Sequence, residues 1–125
     1  MTNDSRLWQQ YLTQGKADDC PVFNVHAHYG PYQGIYFPDR GEAESMIKMM
    51  DRAGVVRAVC ASHASLVDPR RGHQVMAEAI SRYPGRLYGY WSVNPNYPER
   101  TEAELEAFTR SEGFLGFKFL SDYHR

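Results

Sequence analysis

The sequence predicts an α/β fold in which helices cover a parallel sheet of four strands. Four short apolar segments alternate along the 125 residues with segments whose apolar residues recur at helical spacing. The strand segments are apolar almost throughout, which is typical of strands buried on both faces. Gly54 and Pro84-Gly85 stop two of the helical segments. Together these observations indicate β-α-β units with parallel strands.

The first half of the chain contributes two helices and two strands to this prediction. In order, they are a helix over 5–14, a strand near 21–28, a loop over 29–41, a helix over 42–53 and a strand over 55–61. Leu7, Trp8 and Tyr11 lie on one face of the first helix. Met46 and Met50 recur at helical spacing in the second helix and predict its packing face.

The second half repeats the pattern. In order, it predicts a helix over 72–83, a strand over 87–93, a helix that begins at 101 and a strand over 114–120. Met76, Ala79 and Tyr83 supply the apolar face of the first of these helices, and Leu105 and Phe108 that of the second.

The bulk composition is that of an ordinary globular chain. Hydrophobic residues make up 42% and charged residues 23%, and the formal net charge is −1. This balance provides no basic field for nucleic acid or an anionic membrane surface. The sequence shows neither a bilayer-spanning apolar stretch nor a signal peptide. Because its two cysteines have no metal or redox spacing, we expect a reduced, cytoplasmic protein.

Two histidines end the first predicted strand, in the run Val25-His26-Ala27-His28. Alternate side chains of an extended strand share one face, so both imidazoles would project together, with Cα atoms roughly 6.5–7 Å apart. Two imidazoles at that separation can converge on one metal ion. The spacing alone is weak evidence, because roughly 0.2 such pairs are expected by chance. The alternative is two polar side chains that bond to backbone or water at a strand end.

Polar residues also follow the other predicted strands, namely Ser62 and His63, Asn94, and the segment 121–124. The C-terminal ends of parallel strands are the edge at which α/β folds place their chemistry. A complete eight-stranded barrel takes about 250 residues, and this chain predicts four strands in 125. We therefore predict a parallel (βα) half-barrel, half of a TIM (β/α)8 barrel, as a single incomplete domain over 1–125.

Four motifs accompany these strands. They are Asn24-Val25-His26-Ala27-His28, Met50-Asp51-Arg52-Ala53-Gly54-Val55, the stretch from Tyr83-Pro84-Gly85-Arg86-Leu87 to Val93-Asn94-Pro95, and Gly113-Phe114-Leu115-Gly116-Phe117-Lys118-Phe119. With them the chain resembles the N-terminal half of the amidohydrolase superfamily, in particular its amidohydrolase-2 branch related to aminocarboxymuconate-semialdehyde decarboxylase. The resemblance spans roughly residues 20–120, and the joint occurrence of the motifs is far more specific than the histidine pair alone.

The resemblance implies a metal-dependent hydrolase. In that family the first two histidines, here His26 and His28, bind a catalytic divalent metal, for which we expect zinc. The ion lowers the pKa of a bound water toward ~7 and polarises the scissile bond of a small carbonyl or carboxylate substrate. Further ligands, usually two histidines and an aspartate, come from strands five, six and eight, beyond the four predicted here. The family often has Asp where Asn24 stands, and Asn24 is predicted on the face of the histidines, where it could orient one of them.

Lys118 and His63 are the candidate substrate-binding residues. Some superfamily members carboxylate a lysine on strand four to bridge two metals, and the amine could also contact an anionic substrate; the alternative is a lysine that reaches water at the end of the sheet. His63 follows strand two and would contact substrate or lie in solvent. We expect His73 on the surface. We expect His124 in a frayed terminus, and the alternative is that it approaches the metal edge.

Several functions remain open at this stage. The first is a metal-dependent hydrolase with a small-molecule substrate, and because relatives include decarboxylases and hydratases, those reactions are alternatives. The second is a non-catalytic half-barrel fragment, since two apolar sheet edges invite pairing with a second copy or a partner half. The third is a TatD-like metal-dependent nuclease, which also opens with His-x-His. The other motifs and the net charge fit that nuclease less well.

Overall fold

The computed structural model describes residues 5–36 and 39–124, and within this part of the chain helices and strands alternate. The helices are α1 (Arg6–Gln14), α2 (Ala43–Ala53), α3 (Pro69–Arg82) and α4 (Thr101–Thr109), and the strands are β1 (Val22–Tyr29), β2 (Val55–Ser62), β3 (Leu87–Val93) and β4 (Phe114–Phe119). Short 3-10 helices, His63–Leu66 and Pro98–Arg100, follow β2 and β3. No described helix combines the length and hydropathy that crossing a membrane requires.

The strands form one parallel sheet in the order β1-β2-β3-β4, which confirms the predicted α/β class. The sheet is strongly curved. This follows from the position of Lys118 on β4, whose Nζ atom lies 3.2 Å from Nε2 of His26 on β1. In a flat sheet these two strands would be about 14 Å apart, and their side chains would stand parallel without meeting. The first and last strands therefore face each other across a concave surface.

The hydrophobic core lies on the other, convex face of the sheet. Its buried members come from the helices and the strands, and they are Ala43, Met50, Ala58, Cys60, Met76, Ala79, Leu87, Trp91 and Phe114. Burial of each large side chain of this kind stabilises a fold by about 1.5–3 kcal/mol. Burial also raises the pKa of the Cys60 thiol to about 12, so this cysteine is an unreactive core residue.

The predicted strands match the observed ones to within one residue at each end. The largest difference is the start of α3, which begins at Pro69 and not at 72. Proline suits the first position of a helix because it has no N–H to leave unpaired there. The Asp68 side chain caps this helix by accepting a hydrogen bond from the backbone N–H of Arg70. That the whole chain is one incomplete domain stays a prediction.

Gly72 is the point at which α3 touches the 3-10 helix after β2. A Cβ atom at Gly72 would lie 1.8 Å from Oγ and 2.9 Å from Cα of Ser65. Both residues are buried, and the second distance involves backbone, which a side-chain rotation cannot relieve. Only glycine therefore allows the two helices to pack at this distance.

We predict that Gly72→Ala lowers the free energy of unfolding by about 1–3 kcal/mol, because the added methyl group overpacks this contact. The same substitution at an exposed helix position would stabilise the protein by about 0.5–1 kcal/mol, so the sign of the change is diagnostic. Urea unfolding at a fixed protein concentration measures it. The control Gln74→Ala, at an exposed position of α3, should change the value by less than about 0.5 kcal/mol. A Gly72→Ala protein as stable as the wild type would disprove the close contact.

Candidate functional site

The candidate site begins with an irregularity in β1. Asn24 pairs with Ala58, and Ala27 pairs with Cys60. Between these two pairs β1 advances by three residues but β2 by only two. Such a bulge reverses which face the following side chains take. Asn24 therefore lies on the opposite face from His28, which corrects the prediction that it shares the face of the histidines. Its side-chain oxygen accepts a hydrogen bond from the backbone N–H of His26, at 3.0 Å, and so shapes the strand instead of orienting an imidazole.

The rings of His26 and His28 converge beyond this bulge, at the C-terminal end of β1. Their centroids are 5.6 Å apart and their planes are tilted by 37°. Two imidazoles that ligate one tetrahedral zinc ion through nitrogens at 2.0–2.1 Å have centroids about 5 Å apart. Burial, followed by the nearby His63 and Lys118, lowers the pKa of His28. This favours the neutral imidazole, which is the form that binds metals.

Lys118 reaches the same place from the opposite edge of the sheet. It pairs with Ser92 on β3, and its Nζ lies 3.2 Å from Nε2 of His26. An ammonium group only donates hydrogen bonds, so Nε2 of His26 is the acceptor. The lone pair of this nitrogen therefore points into the concave face, where a positively charged group already contacts it.

His63 lies beside the histidine pair, at the start of the 3-10 helix that follows β2. Its Nδ1 lies 2.7 Å from the backbone carbonyl oxygen of Gly30 and donates to it, since a carbonyl only accepts. In the neutral ring, Nε2 is then the acceptor nitrogen. The His63 ring stacks on His28 at 5.2 Å on one side and on Tyr32 at 5.1 Å on the other. The structure thus brings all four predicted site residues together.

This constellation fits part of a metal site. Among residues 5–36 and 39–124, no group of three or more His, Cys, Asp or Glu side chains is placed to hold a metal ion. His26 and His28 fit two ligand positions by the separation of their rings. His63 lies face to face with His28, at 15° between the planes, which suits stacking and not joint ligation.

The segment after β4 packs onto the rim of the site, so the prediction of a frayed His124 is wrong. The imidazole of His124 is buried, and its Nε2 donates to the backbone carbonyl of Ser65 at 2.9 Å. The amide of Asn96 donates to the carbonyl oxygen of His124. These bonds tie the end of the described chain to the loops that follow β2 and β3. The hydroxyl groups of Tyr123 and Tyr32 also interact, and this hydrogen bond raises the pKa of Tyr123.

His73 is a core residue, and its predicted surface position is wrong. Its ring stacks on Trp91 with 3.8 Å between the centroids, and its Nε2 donates to the backbone carbonyl of Ser92 at 2.9 Å. The indole N–H of Trp91 donates to Glu104 at 2.8 Å. Burial lowers the pKa of His73, and the Ser92 carbonyl and Glu104 only partly oppose this effect. The sequence did carry a signal, since position 73 lies three residues before Met76 on the apolar stripe of α3.

Comparison with known proteins gives matches among solved structures. No family model and no curated protein matches the sequence. A 5-carboxyvanillate decarboxylase from Novosphingobium aromaticivorans, crystallised with manganese and 4-hydroxy-3-methoxy-5-nitrobenzoic acid, matches with a TM-score of 0.63 and 19% identity over 78% of this chain and 40% of that chain. An aspartate-to-asparagine mutant of a decarboxylase of the same name and organism, also with bound manganese, gives a TM-score of 0.59 and 18% identity, over 78% of this chain and 41% of that chain.

These matches define the class of the fold. The four-stranded parallel sheet is a half TIM barrel, and its similarity is to metal-dependent barrel enzymes. The chain spans about 40% of the length of these structures, which agrees with the predicted resemblance to an N-terminal half. The resemblance stated from the sequence is thereby confirmed as a similarity of fold.

We predict that His73 makes the stability of the protein pH-dependent below pH 6.5. Its pKa in the folded state lies below the value of about 6.5 in the unfolded state, so the unfolded state binds the proton first as the pH falls. The free energy of unfolding therefore has its full value above pH 6.5 and falls below that pH. The loss due to His73 is at most about 1.4 kcal/mol between pH 7.5 and 5.5.

Urea unfolding of the wild type and of His73→Gln at several pH values measures this effect. The variant should lose less stability between pH 7.5 and 5.5 than the wild type does. A part of the loss should remain in the variant, because the pKa of His28 is lowered as well. Equal losses in the two proteins would show that His73 is protonated as easily in the folded state as in the unfolded state.

Proposed function

We propose that this chain forms the metal-binding half of the active site of a metal-dependent enzyme of the amidohydrolase type. The observation that carries the proposal is the convergence of the His26 and His28 imidazoles on the concave face, at the C-terminal end of β1. This is the end of the strands at which barrels of this class place catalysis. The similarity of the fold to manganese-containing decarboxylases supports it.

The site residues divide into two roles in this proposal. His26 and His28 supply two nitrogen ligands, and a divalent ion held there would polarise a substrate oxygen and acidify water. Lys118 provides a positive charge beside the pair and binds the carboxylate of a small substrate. His63, whose Nδ1 donates to the Gly30 carbonyl, stacks on His28 and lines the site beside the ligand pair.

We propose zinc as the ion, because imidazole ligands bind zinc more strongly than manganese. Hydrolysis is the first candidate reaction, in which an ion held by the pair would supply activated water and His63 would contact the substrate. Decarboxylation is the second, and it is favoured by the position of Lys118, which suits a carboxylate, and by the decarboxylase neighbours. Either reaction requires the further ligands that strands beyond β4 supply in a complete barrel.

A metal titration tests the ligand pair. His26→Ala and His28→Ala should each weaken zinc binding at least about 10-fold, since changes outside the direct ligands already cost 10–100-fold in known sites. Calorimetry at pH 7.5 measures the affinity, with manganese run in parallel and expected to bind more weakly. Gln74→Ala, on the exposed surface of α3, is the control for general effects of substitution. Zinc affinity that survives both histidine substitutions would exclude the pair as the site.

Substitution of Lys118 distinguishes a lysine that binds a substrate carboxylate from a carboxylated lysine that ligates metal. The ammonium group competes with a metal ion for Nε2 of His26, so Lys118→Met should raise zinc affinity while it weakens the binding of benzoate, a simple carboxylate probe, to the zinc-loaded protein. A carboxylated lysine acting as a metal ligand would give the opposite result, a loss of zinc affinity. Calorimetry with zinc and then with benzoate distinguishes the two.

A further inference from the structure

The bulge in β1 decides which face of the sheet the two histidines take. Asn24, on the N-terminal side of the bulge, pairs with Ala58, which belongs to the hydrophobic core on the convex face. In a regular strand His26 and His28 would share the face of Asn24, because alternate side chains point the same way. They would then be directed at the core. The extra residue of the bulge reverses this order and turns both imidazoles to the concave face.

The bulge sets apart one peptide unit, which joins Val25 to His26. Both residues lie between the two register pairs that flank the bulge. Side chains bond both polar groups of this peptide. The side-chain oxygen of Asn24 accepts from the N–H of His26 at 3.0 Å, and the hydroxyl of Tyr90 donates to the carbonyl oxygen of Val25 at 2.7 Å. Because both ends of the peptide are bonded, it cannot rotate back into a regular strand without breaking both hydrogen bonds.

Tyr90 reaches this peptide from β3, across the intervening strand β2. It is 65 residues along the chain from Val25. Tyr90 pairs with Gly116 on β4, and a Cβ atom at Gly116 would come within 3.7 Å of the Tyr90 ring. Two residues further along β3 on the same face, Ser92 pairs with Lys118. The Tyr90 side chain therefore contacts both the strand that carries the histidines and the strand that carries the lysine.

We propose that Tyr90 is a positioning residue for the histidine pair. Its hydroxyl, together with the side-chain oxygen of Asn24, holds the bulge in β1 and so directs both imidazoles at the concave face. Loss of either bond frees the bulged peptide to rotate, which carries the His26 ring away from Lys118. That this places metal ligands rests on the proposed function, whereas the positions of the rings do not depend on it.

Nuclear magnetic resonance of the metal-free protein tests the positions of the rings. Tyr90→Phe removes the hydroxyl and keeps the ring, so the nuclear Overhauser effects between the His26 ring and the Lys118 side chain should be lost. Hydrogen exchange of the His26 backbone amide should become about 3- to 10-fold faster, the factor that corresponds to one ordinary hydrogen bond. The control Tyr88→Phe removes the same group from the same face of β3, where the Tyr88 ring contacts Phe23, and should change neither signal.

Substitutions of Asn24 test the other bond to the bulged peptide. Asn24→Leu removes the acceptor and should change the same two signals, whereas Asn24→Asp keeps an acceptor oxygen and should retain them. In calorimetry with zinc at pH 7.5, Tyr90→Phe and Asn24→Leu should each bind about 10-fold more weakly than the wild type. Tyr88→Phe and Asn24→Asp should bind zinc at least as tightly as the wild type.

Circular dichroism checks that each variant is folded, and the two Asn24 variants decide the outcome if Tyr90→Phe is not. Unchanged Overhauser effects in Tyr90→Phe, or equal losses in Tyr88→Phe, would overturn the proposal. Weaker zinc binding with unchanged ring contacts would also overturn it, because the hydroxyl would then act without moving the histidines. If the rings move in the variants but the wild type binds no zinc, the positioning role stands and only the proposed function fails.

Discussion

The curvature of the sheet is the constraint on which the rest of the structure depends. Parallel pairing in chain order gives four neighbouring strands, and their curvature lets a lysine on the last strand contact a histidine on the first. Without it, Lys118 and His26 would belong to opposite edges of a flat sheet, and the concave face would hold no site.

A buried polar network on the convex face holds the strand that positions Lys118. His73 and Glu104, from α3 and α4, bond the backbone carbonyl of Ser92 and the indole of Trp91, which are adjacent residues of β3. Ser92 is in turn the register partner of Lys118 on β4. Buried polar groups whose hydrogen bonds are satisfied specify one arrangement, because a displaced strand would leave them unpaired. The core therefore fixes the position of Lys118 along the strand direction, and with it the distance between Lys118 and the histidine pair.

The sequence predicted those features that depend on local pattern. Apolar runs and glycine stops located the strands, and the alternation of side chains predicted that His26 and His28 converge. The bulge between Asn24 and Ala27 was beyond that reasoning, since it is a property of how β1 pairs with β2. The contact between Lys118 and His26 also depends on curvature, which no single segment encodes. The burial of His124 depends on the carbonyl of Ser65, 59 residues away.

Two imidazoles beside an ammonium group make at most an exchangeable metal site, because zinc normally takes three or four protein ligands. Among the described residues, no third His, Cys, Asp or Glu side chain is placed to join His26 and His28. The ammonium group of Lys118 also competes with an ion for Nε2 of His26. Both features lower the affinity that the pair alone can reach, and a further ligand on the concave face would raise it.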